Sequence, residues 1–281
     1  MLIHTVQSGE TVYSIATRYG VNPARLMSDN GVGEDGALAV GQALAVLFPR
    51  VVHAVTEGDT LSSVARAYGI SLRQLYRNNY YLGGRDAVYP GNALVISYVG
   101  QPIGDIVTNG YAYPHIRRPT LQSSLPYMTC LTPFTYGVTA AGGLLPLQDG
   151  LLLSDAAAMG VTPLMHLSSI TEDGSFSNAR STLILTNPAL QDPLIDQIIA
   201  TVQEKGYWGV DVDFEFVPPA EREAYAAFVN RLRERLAPLR LPVIVALAPK
   251  TFAGQKGLLY EAHDYALLGA AADFVLLMTY G

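Results

Sequence analysis

The sequence predicts an α/β protein: a (β/α)8 TIM-type barrel, truncated after its sixth strand, preceded by two small βααβ modules. Three observations carry that expectation. The N-terminal third repeats itself at an offset of 49 residues. The remainder alternates apolar strand-like runs with helical stretches. Finally, YWGVDVDFEFV (207–217) places Asp211, Asp213 and Glu215 at every second position of an otherwise apolar run.

Composition sets the bounds. The chain has 281 residues, of which 49% are hydrophobic and 15% charged, enough for a substantial core. A net charge of −6 argues against nucleic acid as a partner, since phosphate neutralisation needs concentrated Lys and Arg. The one cysteine, Cys130, excludes an intramolecular disulfide and a cysteine-based metal site, and reads as a small buried hydrophobe. MLIHTVQSGETV lacks a charged segment followed by a long apolar one, so no secretory signal is expected in this chain. No window approaches the ~20 apolar residues of a membrane span. A soluble monomer without cofactor or metal is expected.

The repeat pairs His4 with His53, Gly9 with Gly58, Thr11 with Thr60, Tyr19 with Tyr68, Gly20 with Gly69, Leu26 with Leu75 and Asn30 with Asn79. HTV and HAV read as short strands, and SGET and EGDT as turns entering a helix. Val12, Ile15, Ala16 and Tyr19 then fall at helical spacing, with Gly20 as the stop. A second helix follows in NPARLMSDN, and ALAVL or ALVIS closes each unit as a strand. Tyr19 and Tyr68 are expected in the core, and His4 and His53 are strand residues rather than metal ligands. These modules, 2–48 and 51–98, resemble the LysM domain. The resemblance implies binding to peptidoglycan or another N-acetylglucosamine polymer. It places the groove at Gly9, Thr11, Val12 and Asn30 and at Gly58, Thr60, Leu61 and Asn79, with contacts made largely by backbone. Two tethered sites multiply avidity on a polymer.

VGQPIG (99–104) reads as a linker, and 105–281 as the barrel region. Strand-like runs lie at 106–113, 127–137, 161–170, 207–217, 241–250 and 273–281. Between two of them, Asn187 and Pro188 open a helix whose stripe is Leu194, Ile195, Ile198, Ile199 and Val202, with Pro193 weakening its first turn. Tyr225, Phe228, Val229, Leu232 and Leu236 form a second stripe. Alternating βα units with strands apolar on both faces imply a parallel sheet. Periodicity does not separate an open sheet from a barrel. The acidic row favours the barrel, whose active sites form at the strands' C-terminal ends, and a Gly-rich phosphate loop after the first strand is missing.

VDVDFE together with the terminal MTYG resembles glycoside hydrolase family 18, the chitinase-like barrels, and the two-module arrangement resembles that of bacterial spore-cortex and germination glucosaminidases. Asp211, Asp213 and Glu215 match the last three acids of the family pattern D-x-x-D-x-D-x-E, while Trp208 stands at the first. HLSSI (166–170) replaces the family's Ser-x-Gly-Gly strand. The resemblance implies a retaining, substrate-assisted β-N-acetylglucosaminidase acting on spore cortex peptidoglycan, at a spore coat, cortex or cell-wall location. Glu215 would be general acid and then base, Asp213 would orient the substrate's acetamido group, Asp211 would share charge with Asp213, and Tyr280 would hold the acetamido oxygen. Tyr111 and Met278 are candidate substrate contacts, and Tyr113 lines either the site or the rim. A glycan-binding protein with an inactive barrel, or a chitinase, are the alternatives. The acidic row itself also admits a divalent cation. His166 reads as a buried barrel histidine, and Trp208 as a packing residue.

Overall fold

A computed structural model describes residues 1–100 and 104–279. The expected linker therefore falls partly, and Tyr280 wholly, outside the described residues. The chain divides into two compact units, Met1–Val107 with Arg117–Tyr127, and Thr108–Ile116 with Met128–Gly281.

In the first unit, β1 (Leu2–Thr5), α1 (Val12–Tyr19), α2 (Pro23–Asp29) and β2 (Ala43–Val46) form one module. A second comprises β3 (Pro49–Ala54), α3 (Leu61–Ala67), α4 (Leu72–Asn78) and β4 (Ala93–Tyr98). Each closes by antiparallel pairing, β1 with β2 and β3 with β4. The local causes are the repeated residues. Thr11 and Thr60 cap their helices in reciprocal boxes with Ser14 and Ser63. Gly20 ends α1 at φ 64°, a left-handed conformation that costs glycine little. Val12, Ile15, Leu26 and Leu44 are buried in the first module, each contributing about 1.5–3 kcal/mol.

Cores this small are marginal alone, and the modules are clamped to one another. From α2, the Arg25 guanidinium donates to the Asn78 carbonyl and to Tyr98 Oη at 2.6 Å, lies 5.4 Å from the Tyr81 ring centroid and pairs with Asp29 at 2.8 Å. The repeat breaks at this position, where the second copy has Gln74. The short helix α5 (Arg118–Ser124) also belongs to this unit, although the sequence groups it with 105–281. Arg77 Nε donates to the Pro126 carbonyl at 2.6 Å, and Gly84 lies so close to the Gln122 carbonyl that a Cβ would stand 2.5 Å from its oxygen.

The second unit contains β5 (Asn109–Ala112), β6 (Cys130–Pro133), the hairpin β7 (Gly137–Val138) and β8 (Leu144–Leu145), α6 (Gly150–Ala158), β9 (Thr162–Pro163) and β10 (Met165–Ser168). It continues with α7 (Asn178–Leu185), α8 (Pro188–Lys205), β11 (Val210–Asp213), α9 (Arg222–Leu236), β12 (Val243–Leu247), α10 (Tyr265–Ala271) and β13 (Phe274–Leu277). Strands β5, β6 and β9 pair in parallel, as do β10 to β13, and a parallel bridge from Tyr136 to Leu167 connects the β6 path to β10. The strand paths therefore follow chain order without reversal, as in a barrel wall and unlike a doubly wound sheet.

Period-two alternation divides the two faces. Val210, Val212, Val243, Val245 and Leu247 join the main core with the stripes of α8 and α9. The opposite face carries His166, Ser168, Asp211, Asp213 and Ile244, and Cys130 is buried with Leu164 and Ile244. Helix α8 runs through Pro193 without interruption, and Asn187 occupies its N-cap without a side-chain capping bond. The strands are shorter than the sequence runs imply. β11 ends at Asp213, and Phe216 is 38% exposed rather than continuing the buried Val210–Val212–Phe214 face. The backbone turns away there, with Phe216 at φ 55°.

Candidate active site

Asp211 and Asp213 are buried on the interior face of β11, with Glu215 half-buried just beyond the strand's end. Parallel register sets Asp211 opposite His166 and Asp213 opposite Ser168. Tyr111 reaches over from β5 and donates to Asp211 Oδ2 at 2.5 Å. His166 Nε2 lies 3.4 Å from Asp213 Oδ2. The remaining oxygens, Asp211 Oδ1 and Asp213 Oδ1, are buried without a hydrogen-bond partner among the described residues. A cavity of about 210 Å³ opens above this row, lined by Tyr111, Tyr113, Phe134, His166, Phe176, Asp213, Glu215 and Met278.

The turn between Asp213 and Glu215 is held from both sides. Phe214 is fully buried and stacks on Tyr225 and Phe228, with ring centroids 5.8 and 5.6 Å away. Its N–H donates to Tyr225 Oη at 3.3 Å, and its carbonyl lies 3.1 Å from His263 Nε2. The Ala248 N–H donates to His263 Nδ1 at 2.8 Å, so Nε2 is the nitrogen that carries the hydrogen donated to Phe214. Burial holds His263 below the usual imidazole value, consistent with a neutral ring.

Electrostatics grade the acids. Burial, and then the negative charge of Asp213, raise the Glu215 carboxyl above its ordinary value, with His166 opposing. Burial raises Asp211 as well, against His166 and the Tyr111 hydrogen bond. A half-buried acid kept protonated at a cavity lip can protonate a leaving oxygen, and its conjugate base can then activate water.

Most of the singled-out barrel residues converge here: Asp211, Asp213, Glu215, Tyr111 and Met278, with Tyr113 at the rim. His166 is buried, as its reading as a barrel histidine has it, and it also lines the cavity beside Asp213. Its inward position was implied by alternation on β10, but the Thr135 and Asp213 contacts are brought together only by the fold. Phe134 and Phe176 had no signal beyond hydrophobicity. Trp208 precedes β11, at the opposite end of the strand from Glu215. It is 44% exposed over a separate, shallow depression, so it is less buried than a packing residue would be.

The expected groove residues of the modules differ in burial and bonding. Val12 and Leu61 are 1% and 3% exposed, so their side chains belong to the cores. Asn30 donates to the Leu26 and Ala45 carbonyls and accepts the Ala45 N–H, and Asn79 does the same with Leu75 and Val95. Both amides are thereby spent tying helix to strand. What these loops expose is Gly9, Thr11, Gly58 and Thr60. Tyr68, expected in the core, is 42% exposed, with its hydroxyl 3.3 Å from His53 Nδ1. The first copy repeats that contact between Tyr19 and His4 at 3.1 Å. The histidines also bind the acids of the turn, Glu10 at 2.7 Å and Asp59 at 3.0 Å.

Residues 4–46 and 53–97 match the LysM domain, and residues 163–281 match Glycosyl hydrolases family 18. The cortical fragment-lytic enzyme of Bacillus anthracis is 35% identical over 297 residues, taking in 99% of this chain and 65% of that protein. The crystal structure of the Bacillus megaterium QM B1551 spore cortex-lytic enzyme SleL is similar at TM-score 0.70 and 33% identity, covering 99% of this chain and 66% of that one. A class V chitinase from Pseudomonas fluorescens Pf-5 is similar at TM-score 0.57 and 29% identity, covering 62% of this chain and 54% of that one. The chain spans 65% of the length of the Bacillus anthracis relative.

Proposed function

We propose, from a chain that carries two LysM domains and a family 18 glycosyl hydrolase domain, that it is a peptidoglycan-binding, retaining β-N-acetylglucosaminidase acting on spore cortex fragments. The observation that carries this reading is Glu215: a carboxyl raised by burial and by Asp213, at the lip of a cavity lined by aromatic rings. In the substrate-assisted route of this family, the acetamido oxygen of the substrate attacks the anomeric carbon. Glu215 protonates the departing oxygen, and its carboxylate then deprotonates the water that opens the oxazolinium-type intermediate. Asp213 orients the acetamido group, and Asp211, bonded to Tyr111, supports Asp213 from below. Tyr280 is assigned to the acetamido oxygen on the family resemblance alone.

The tandem modules of residues 2–48 and 51–98 hold the catalytic region (105–281) on the glycan, through backbone exposed around Gly9, Thr11, Gly58 and Thr60. Cell-wall or cortex association follows from that binding. Among the described residues no helix is long and apolar enough to cross a membrane.

Release of reducing sugar from purified cortex fragments tests the proposal. The wild-type chain releases it and Glu215→Gln does not, while both sediment with peptidoglycan. Sedimentation of both without release by either would support the glycan-binding alternative. The chitinase likeness favours a second reading, in which chitin oligomers are turned over at a rate comparable with cortex fragments.

A further inference from the structure

His166 stands behind the acidic row with its two ring nitrogens committed to different partners. It is 1% exposed, stacked on Phe134 with centroids 4.8 Å apart and met edge-on by Tyr111 at 5.3 Å. Nδ1 lies 2.6 Å from Thr135 Oγ1, and Nε2 lies 3.4 Å from Asp213 Oδ2. The single proton of Thr135 has several acceptors: Ser168 Oγ at 3.0 Å and the carbonyls of Tyr136 at 3.1 Å and His166 at 3.3 Å. Unless it goes to Nδ1 itself, that proton leaves Thr135 Oγ1 free to accept an Nδ1–H. With a hydrogen already on Nδ1, Nε2 can donate to Asp213 only if the ring carries both protons.

The titratable groups facing the ring are acids, with Asp213 the carboxylate at Nε2 and Glu215 the group that carries the catalytic proton. Asp211 and Asp213 come from β11 and Glu215 from the turn after it, whereas Tyr111, Phe134 and Thr135, from the neighbouring strand paths, are neutral. Among the described residues, Asp213 Oδ1 has no hydrogen-bond partner beside the cavity. His166 also lies in HLSSI, the stretch that replaces the family's Ser-x-Gly-Gly.

We propose that His166 is a positioning residue: an imidazolium, pinned by Thr135, that holds Asp213 as a carboxylate with its second oxygen free to accept the N–H of a substrate acetamido group. This rests on the glycosidase reading above. The imidazolium keeps both protons throughout, since the proton delivered to the leaving oxygen comes from Glu215 and returns to it from water.

Two measurements test the proposal. Imidazole ¹⁵N spectra of histidine-labelled protein near neutral pH, with the signal assigned by its loss in His166→Gln, should show a doubly protonated ring that becomes neutral in Asp213→Asn. A neutral His166 in the wild type overturns the proposal, whether or not sugar is released. In the kinetic arm, His166→Gln and the size-matched His166→Phe should each lower kcat by about tenfold or more with little change in KM, and should alter the pH profile of kcat. Wild-type kcat and pH profile in His166→Gln would overturn it as well. Absence of turnover in the wild type would instead sink the glycosidase reading, while the spectra still decide the charge on His166.

Discussion

Asp149 and the pair Asp211–Asp213 are buried to similar degrees, at 2%, 1% and 4% exposure, yet their surroundings are opposite. Asp149 accepts from Lys205 Nζ at 2.7 Å and from the hydroxyls of Tyr136 and Tyr207, each at 2.5 Å. Burial alone would raise its carboxyl, but those three donors outweigh burial and hold it below the ordinary value. Burial, with the Asp149 bond next, pushes the Tyr136 hydroxyl up to about 12, so the cluster keeps one charge state at neutral pH. Asp211 and Asp213 each keep a buried oxygen without a partner among the described residues, and burial leaves Asp211 raised. Burial therefore does not by itself make an acid reactive. A shortage of donors does, because the missing partner is left for a substrate to supply.

The comparison is broken most strongly at Glu215. Glu215→Gln should lower kcat on cortex fragments by ~10²–10⁴-fold, the range typical of a lost general acid, with stability within about 1 kcal/mol of wild type. Asp149→Ala should behave in the reverse sense. It strands Lys205 and two buried hydroxyls, and by analogy with broken buried ion pairs should cost about 3–5 kcal/mol in a urea melt. If Asp149→Ala melts like the wild type, the contrast between the two clusters is wrong.

Asp213→Asn sharpens the contrast through pH. Removing that negative charge makes ionisation of Glu215 easier, so its raised carboxyl must fall towards the ordinary value. Whatever kcat remains should decline at lower pH than in the wild type. An unmoved basic limb would show that Asp213 does not act on Glu215.

How far the sequence revealed these clusters depended on how local each cause is. The modules were readable because Gly20, Thr11 and their counterparts act within a few residues of themselves. The acidic row was readable because period two is a local signal. Its end was not, since Phe214 stays buried while the backbone turns at Phe216. The β7–β8 hairpin was too short to pattern. The Asp149 cluster joins residues 136, 149, 205 and 207, and His166 meets Thr135 and Asp213 from separate strands. Such contacts exist only once strands are in register. Asn30 and Asn79, placed at the groove by resemblance, have side-chain amides that bond helix to strand within each module, a pairing no local pattern reveals.

The smallest expected effect concerns Asp211, and its sign separates a functional acid from a structural one. Its carboxyl is raised in the folded chain, chiefly by burial. The folded state therefore holds that proton more tightly than the unfolded chain. This contribution to stability is complete below the unfolded value and is lost as pH rises through the folded one. At neutral pH the wild type bears the cost of a buried, poorly partnered acid. Asp211→Asn cannot ionise, and its amide oxygen can still accept from Tyr111. Its stability should match or exceed that of the wild type near neutral pH, by up to about 1 kcal/mol, with the difference shrinking in acid. Paired urea melts across pH measure this directly. A variant less stable at neutral pH than in acid, relative to wild type, would place Asp211 with Asp149, as an acid the fold requires.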